Sequence, residues 1–247
     1  MVAQFNLDFS SRTVLVVGGS GGIGNAIAQT FRAQGATVHV WGTRPDAKAY
    51  SDVADSNLEG LHYQQMDVSN FGAIEAYQPA FDRLDVLVQS QGFVLYRRQE
   101  YEMPSFQKVL GINLTSLMAC SNKFEPMLTE SRGSMIVVSS SAAFHATRGN
   151  PAYNASKAGA VGLVRTLAQT LADKGVRVNG IAPGFIPTRL TAITTDDAKR
   201  SEAALARIPM GRFGTPEEMA GVALFLASPL ARYVTGQTIL ADGGMLL

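Results

Sequence analysis

Tyr153 and Lys157 lie four residues apart in the stretch Pro151-Ala152-Tyr153-Asn154-Ala155-Ser156-Lys157, so on a helix both side chains leave the same face. A phenol with a pKa of about 10 is a poor acid–base group at neutral pH. A neighbouring ammonium stabilises the phenolate and lowers that pKa, and a cationic nicotinamide would lower it further. The pair is therefore suited to give a proton to a carbonyl being reduced, or to take one from an alcohol being oxidised. Taken alone, such spacing is usually that of a solvated surface pair or a snorkelling lysine, and it is the surrounding sequence that gives it weight. Ser139-Ser140-Ser141 follow the apolar run 135–138 directly, which puts hydroxyls at the C-terminal end of a strand. In an open α/β sheet that is where ligands bind. The serines lack the G-x-S-x-G elbow of a nucleophile.

A second constellation lies near the start of the chain. The β-rich run 13–17 ends in Gly18-Gly19-Ser20-Gly21-Gly22-Ile23-Gly24 and passes straight into a helical pattern. Glycines at such a junction let the backbone turn sharply and bring a pyrophosphate close to the amides of a helix N-terminus. Two registers fit: GxGxxG on Gly19, Gly21 and Gly24, and GxxxGxG on Gly18, Gly22 and Gly24. Cofactor choice should be read after the second strand, where an acid would hydrogen-bond the ribose 2′-hydroxyl of NAD. Here the segment is Val40-Trp41-Gly42-Thr43-Arg44-Pro45, with no acid at the strand end. Thr43 and Arg44 are candidate contacts there, and the Arg44 guanidinium suits the 2′-phosphate of NADP. Asp46 is close enough to reach a ribose, so NADP is the preferred reading and NAD the alternative.

These groups need a scaffold, and the chain outlines one. Short β-rich runs at 13–17, 37–41, 61–66, 84–89, 135–139, 176–181 and 237–240 alternate with helical stretches at 23–34, 70–80, 102–128, 152–174 and 216–227. In the first helix Ile23, Ile27, Ala28 and Phe31 fall on one face. Such alternation predicts βαβ units and a parallel sheet covered on both faces. No linker or repeat interrupts it, so residues 1–247 read as one domain. The segment between Pro187 and Pro209, rich in Thr, Asp and Ala, reads as an inserted flap around 188–210 carrying one short helix.

Composition narrows the function classes. A net charge of +1 and the absence of a basic run give no electrostatic reason to expect nucleic acid or an anionic membrane as partner. Cys120 is the only cysteine, which excludes an intrachain disulfide and suits a reducing compartment. The opening MVAQFNLDFSSR lacks the basic start and long apolar run of a signal peptide, and no segment has the ~20 apolar residues needed to span a bilayer. A cytoplasmic location is the expectation. The three histidines, His39, His62 and His145, have no metal-binding spacing, so no metal site is expected. His39 reads as structural and His145 as a loop residue without a role, while Cys120 reads as a buried structural thiol. Phe93, Val94, Phe144, Phe185 and Leu190 flank the candidate groups and hint at an apolar pocket.

Taken together and in order, these pieces resemble the short-chain dehydrogenase/reductase family, in its branch of about 250 residues with a single Rossmann-like domain. The resemblance runs from about Arg12 to Gly244. The loop from Gly18 to Gly24, with Ser20 and Ile23 inside it, matches the family's glycine loop in the GxxxGxG register, although Val17 stands where threonine is usual. Met66-Asp67-Val68 matches the segment that contacts the adenine. Asn113-Leu114 matches the helix asparagine that links the lysine to water, and Tyr153 with Lys157 matches YxxxK. Asn179-Gly180-Ile181-Ala182-Pro183-Gly184, continuing through Ile186 to Thr188, matches the segment that clasps the nicotinamide. Thr235-Gly236-Gln237 and Asp242-Gly243-Gly244 match the last strand and its exit.

The resemblance implies a doubly wound parallel α/β sheet of about seven strands and hydride transfer between a nicotinamide cofactor and a secondary alcohol or ketone. It implies Ser140, thirteen residues before the tyrosine, as the hydroxyl on the substrate oxygen, with Tyr153 as acid/base. Lys157 would bind the nicotinamide ribose, and Asn113 would hold a relay water. A homotetramer through the helices near 102–128 and 152–174 is also implied. One departure stands out: where the family has Asn-Asn-Ala-Gly, this chain has Gln89-Ser90-Gln91-Gly92. Ser90 and Gly92 still suit a cofactor passing close by, whereas Gln89 and Gln91 alter the site. Three readings stay open for the function. One is a general alcohol dehydrogenase or ketone reductase acting on a small molecule, and another is a 3-oxoacyl-thioester reductase. The third is a non-catalytic NAD(P)-binding regulatory protein. An enoyl reductase fits less well, because in related enoyl reductases the lysine commonly follows the tyrosine by more than four residues.

Overall fold

The computed structural model describes residues 7–247; the first six residues of the segment read as lacking a leader lie outside it. Seven parallel strands form one sheet in the order β3-β2-β1-β4-β5-β6-β7. They are β1 (Thr13–Val17), β2 (Thr37–Gly42), β3 (His62–Gln65), β4 (Val86–Gln89), β5 (Ser134–Val138), β6 (Arg177–Pro183) and β7 (Thr238–Ala241). The order reverses between β1 and β4, whose register pairs Val17 with Gln89. Open α/β sheets bind ligands at such a switch point, beyond the strand ends.

Alternation along β1 divides the core in two. Val14 and Val16 face one side and pack with Ile27, Ala28 and Phe31 of α1 (Gly22–Ala33), and with Met219, Ala220 and Ala223 of the last helix. Leu15 and Val17 face the other side and pack with Phe124 and Leu128, and with Ala160 and Val164. The expected apolar face of the first helix is thus in place, with Ile23 packed at its margin.

The helices differ from expectation in informative ways. The stretch 70–80 yields only α2 (Phe71–Ala76), because Tyr77 turns extended two residues ahead of Pro79. The stretch 102–128 is α3 (Met103–Leu110) and α4 (Ser116–Ser131), joined by a widened π turn over Gly111–Thr115 that carries the fully buried Asn113. The helix with the tyrosine and lysine is α5 (Pro151–Leu171), opened by proline in its first turn. The flap holds two short helices rather than one, α6 (Ala192–Thr195) and α7 (Ala198–Leu205). Asp197 caps the second by accepting the Arg200 amide at 2.9 Å, which breaks the run.

Helix α8 (Pro216–Ala227) begins with a capping box: the Thr215 hydroxyl accepts the Glu218 amide and the Glu218 carboxylate accepts the Thr215 amide. Since α8 packs against α1, which carries the glycine turn, this cap supports the site from behind. Thr215→Ala is expected to cost about 1 kcal/mol. Urea unfolding should show a lower midpoint with an unchanged slope; an unaltered midpoint would mean that the box contributes nothing.

Candidate active site

At the C-terminal edge of the sheet lies a cleft of roughly 720 Å³ that runs from the glycine turn to the N-terminal end of α5. Its first wall is built by backbone. Gly18 adopts φ +77°, and a Cβ there would sit 2.8 Å from the Gln91 amide nitrogen. A Cβ on Gly24 would be 2.3 Å from the Gly18 carbonyl oxygen. Only glycine lets the turn nest against Ser90–Gln91 and lets α1 close on β1, and Gly19 is equally crowded, since a Cβ there would lie 2.9 Å from the Val16 carbonyl oxygen. Ser20, Gly22, Ile23 and Gly24 all line the cleft, as do Thr43, Asp67, Val68, Ser90 and Gly92.

At the far end, α5 is tied to β5 twice. The Ser139 hydroxyl donates to the Lys157 carbonyl at 2.8 Å, and the Lys157 ammonium donates to the Val138 carbonyl at 2.9 Å. Lys157 is only 4% exposed, and burial lowers its pKa to about 8. Its Nζ lies 5.7 Å from the centre of the Tyr153 ring. The three serines have separate tasks. Ser139 is the clamp, whereas Ser140, in extended backbone, hydrogen-bonds the Tyr153 phenol and accepts the Ala142 amide at 3.1 Å. Ser140 therefore stands beside the Tyr153 phenol, within the cleft.

The phenol's pKa differs from the expected lowering. Burial pushes Tyr153 up to about 12; the Ser140 hydrogen bond pulls it down, while Tyr96 and Glu100 push it further up. In the free protein desolvation outweighs the Ser140 hydrogen bond. Asn113 does not line the cleft. Its Oδ1 accepts the Phe93 amide at 2.7 Å, and its Nδ2 donates to the Phe93 carbonyl at 2.8 Å and to the Ser156 hydroxyl at 3.1 Å. Its side chain thus braces the loop after β4.

Arg44 is likewise placed differently from expectation. Its guanidinium stacks on Tyr50, bonds the Ala49 carbonyl and does not line the cleft. The Tyr50 hydroxyl accepts the Thr43 and Arg44 amides at 3.1 and 3.2 Å. Pro183, Gly184, Ile186 and Thr188 run along the cleft from the end of β6, with Thr188 against the glycine turn. The altered segment after β4 has a clear structure. Gln89 donates to the Ser121 hydroxyl at 3.0 Å and Gln91 to the Ser116 hydroxyl at 3.0 Å, so the two glutamines brace β4 against α4.

Phe93, Val94, Phe185 and Leu190 line the end of the cleft near Tyr153, as do Tyr96 and His145, whereas Phe144 is 43% exposed and stands outside it. Cys120 is buried with its thiol pushed up to about 12, as expected of a structural thiol. His39 stacks on His62, and burial lowers it to about 4. Among the described residues no group of His, Cys, Asp or Glu could hold a metal, and no helix is long and apolar enough to cross a membrane.

Sequence reading missed Glu100. It is fully buried, and its two carboxylate oxygens accept the Leu95 amide at 3.0 Å and the Tyr153 amide at 2.9 Å. It thus joins the loop after β4, where Arg97 and Arg98 are both left-handed, to the first turn of α5. A carboxylate set against that first turn from outside the helix matches the helix dipole.

Comparison with known proteins adds to this geometry. A family model described as enoyl-(acyl carrier protein) reductase matches residues 18–246. The chain is 37% identical over 244 residues to a 3-oxoacyl-[acyl-carrier-protein] reductase of Chlamydia pneumoniae, covering 95% of this chain and 96% of the relative. A solved structure from Beutenbergia cavernae, described as an NAD(P)-dependent gluconate 5-dehydrogenase with bound NADP at low occupancy, is similar at a TM-score of 0.87 and 35% identity, over 97% of this chain and 98% of the other. The NADP complex of Pseudomonas aeruginosa RhlG is similar at a TM-score of 0.88 and 33% identity, over 99% and 100% of the two chains.

Glu100→Gln removes the negative charge beside Tyr153, so the phenol's pKa should fall. With Tyr153 as the base of an alcohol oxidation, the rise of rate with pH should begin at lower pH in the variant. The pH profile of kcat/KM measures this directly, and a profile that loses height without moving would leave Glu100 a purely structural strut.

Proposed function

The chain belongs to the short-chain dehydrogenase/reductase family, and from that premise we propose that it reduces the ketone of a 3-oxoacyl thioester to the secondary alcohol with NADP(H), NAD(H) being the second choice. One observation carries the reading: the Ser140 hydroxyl, the Tyr153 phenol and the Lys157 ammonium meet in the same cleft as the glycine turn. The residues present fit a dinucleotide, because the turn is a cradle that any Cβ at Gly18 would fill. Gly18, Ser20, Gly22, Ile23 and Gly24 would hold the pyrophosphate, with Thr43, Asp67 and Val68 at the adenosine. Ser90, Gly92, Pro183, Gly184, Ile186 and Thr188 would hold the nicotinamide half, and Lys157 its ribose. When bound, the cofactor supplies or accepts the hydride.

The chain's own work is proton transfer and charge stabilisation. Tyr153 gives its phenolic proton to the carbonyl oxygen as negative charge develops there, and takes it back in the reverse direction. Ser140 donates a hydrogen bond to the same oxygen. Lys157, cationic below its pKa of about 8, keeps the phenolate form within reach and loses that influence as pH rises through this value. Asn113 acts through the Phe93 backbone, which it holds in place. Choice of NADP is supported by the NADP-bound relatives. Arg44 would have to leave Tyr50 to meet a 2′-phosphate. The four-residue spacing of tyrosine and lysine favours ketone over enoyl reduction. An apolar substrate end, with Phe93, Val94, Phe185 and Leu190, suits an acyl chain better than a sugar acid. The flap from 188 to 210 selects the substrate.

The same reading extends to assembly: a cytoplasmic homotetramer, formed in part through the β7 edge. Leu240 on that edge strand is exposed, as are Phe225 of α8 and Leu230 and Tyr233 just beyond it. Light scattering of a stable monomer at micromolar concentration would contradict it.

Tyr153→Phe separates catalysis from mere binding. Cofactor affinity should persist while turnover falls by a factor of about 10² or more. Undiminished turnover would remove Tyr153 from the mechanism. Following nicotinamide absorbance with a short 3-oxoacyl thioester and with gluconate should show activity on the thioester; activity on gluconate alone would replace the substrate proposed here.

A further inference from the structure

The glycine turn is not bare. Arg189, the residue after Thr188 on the flap, reaches across it, so that a Cβ on Gly21 would lie 2.6 Å from its Nη2. The guanidinium's Nε is 3.2 Å from Oδ1 of Asp55, in the segment before β3. Asp55 is also on the turn. Its backbone oxygen accepts the Gly22 amide at 2.9 Å, and its Oδ2 would be 3.5 Å from a Cβ on Gly22. An aspartate and an arginine thus stand together over the first turn of α1, where a pyrophosphate would seek the same amides.

The pair is only loosely satisfied. Asp55 Oδ1 is buried yet accepts no well-aligned hydrogen bond, despite the nearby guanidinium. The arginine side chain is 57% exposed and the aspartate side chain 24%, so both can move without opening the core. A carboxylate gains from the helix dipole, but it offers one negative charge and few acceptors where a pyrophosphate brings two charges and several oxygens. A planar guanidinium pairs bidentately with phosphate.

We propose that Arg189 is a ligand of the cofactor's pyrophosphate and that Asp55 holds its place in the free protein, yielding both the guanidinium and the Gly22 amide when the dinucleotide arrives. This rests on the reading of the cleft as a dinucleotide site. It adds an arginine that the glycine loop itself does not supply, delivered from the flap, so that cofactor binding and flap position become one event. It also assigns Asp55 an opposing role. Its charge disfavours the bound phosphates and its carbonyl competes for an amide that they need.

The two residues should therefore act in opposite directions on the same constant. Calorimetric titration of NADPH and of NADH into the intact protein gives that constant without turnover, with thermal unfolding as a check on folding. Arg189→Ala should weaken both cofactors roughly tenfold or more, since a charge-assisted hydrogen bond is lost. Asp55→Asn, which keeps the backbone contact and removes the charge, should tighten both several-fold. In the double variant part of the Arg189→Ala loss should be recovered, because the unpaired carboxylate is gone. An Arg189→Ala variant that binds like wild type overturns the proposal, and so does a loss confined to NADPH, which would assign the arginine to the 2′-phosphate. Asp55→Asn that weakens binding would overturn the place-holding role. Wild-type protein that bound neither dinucleotide would bring down the functional reading itself, an outcome distinct from both.

Discussion

A buried ammonium must be hydrogen-bonded, and the rest of the site follows from how that requirement is met for Lys157. The acceptor is the carbonyl of Val138, the last residue of β5. A strand-end carbonyl is free to accept because the ladder has run out, and it lies at the edge where parallel α/β sheets place their ligands. The reciprocal bond from Ser139 to the lysine carbonyl fixes the rotation of α5 about its own axis. Once the helix is fixed there, Tyr153 one turn earlier has to face Ser140, which follows Ser139 on the other side of the strand end. Lysine, tyrosine and serine are thus three consequences of one junction between a strand and a helix.

The opposite wall depends on an absence of side chains. Gly18 and Gly24 let the turn after β1 nest against the backbone after β4, where only main-chain atoms can approach so closely. That closeness needs β4 to be held firmly, and here the two glutamines matter. Gln89 and Gln91 reach from β4 into α4 and bond Ser121 and Ser116, with long side chains in place of the shorter ones usual in the family. The departure thus ties the sheet to α4 at its switch point. Asn113 extends the brace by holding both backbone groups of Phe93, and the π turn is what brings its side chain inward.

Much of this was legible in the sequence, for a physical reason. The strand positions and the tyrosine–lysine pair are set by local spacing, two residues per repeat in a strand and four between neighbours on a helix, whereas the glycine spacing fits two registers and only the resemblance chose between them. Ser140 was legible through the resemblance, and in the fold it is the serine that meets the Tyr153 phenol while Ser139 turns to the Lys157 carbonyl. What stayed hidden acts over long sequence distance or against local pattern. Glu100 meets Tyr153 across 53 residues, and Asp55 meets Arg189 across a still longer gap. The Arg44 guanidinium is drawn aside by the Tyr50 ring, which no spacing rule announces. The Tyr153 phenol shows the other limit. The lysine beside it is visible in the sequence, but the burial that raises the phenol is a property of the folded cleft.

A site that grips an anion with backbone amides has to satisfy those amides when the anion is elsewhere, since an orphaned buried N–H costs about as much as a lost hydrogen bond. This protein does so with acids at both ends of the cleft. Glu100 takes the amides of Leu95 and Tyr153 and is wholly enclosed, so exchanging it for anything else would mean burying an unpaired donor. Asp55 covers the Gly22 amide with its backbone oxygen, but its side chain is partly solvated and its partner arginine more so. The same kind of group, at two depths, therefore gives two behaviours. The buried carboxylate is a fixed part of the frame that holds Tyr153, and the shallow one can be displaced by a ligand carrying more negative charge.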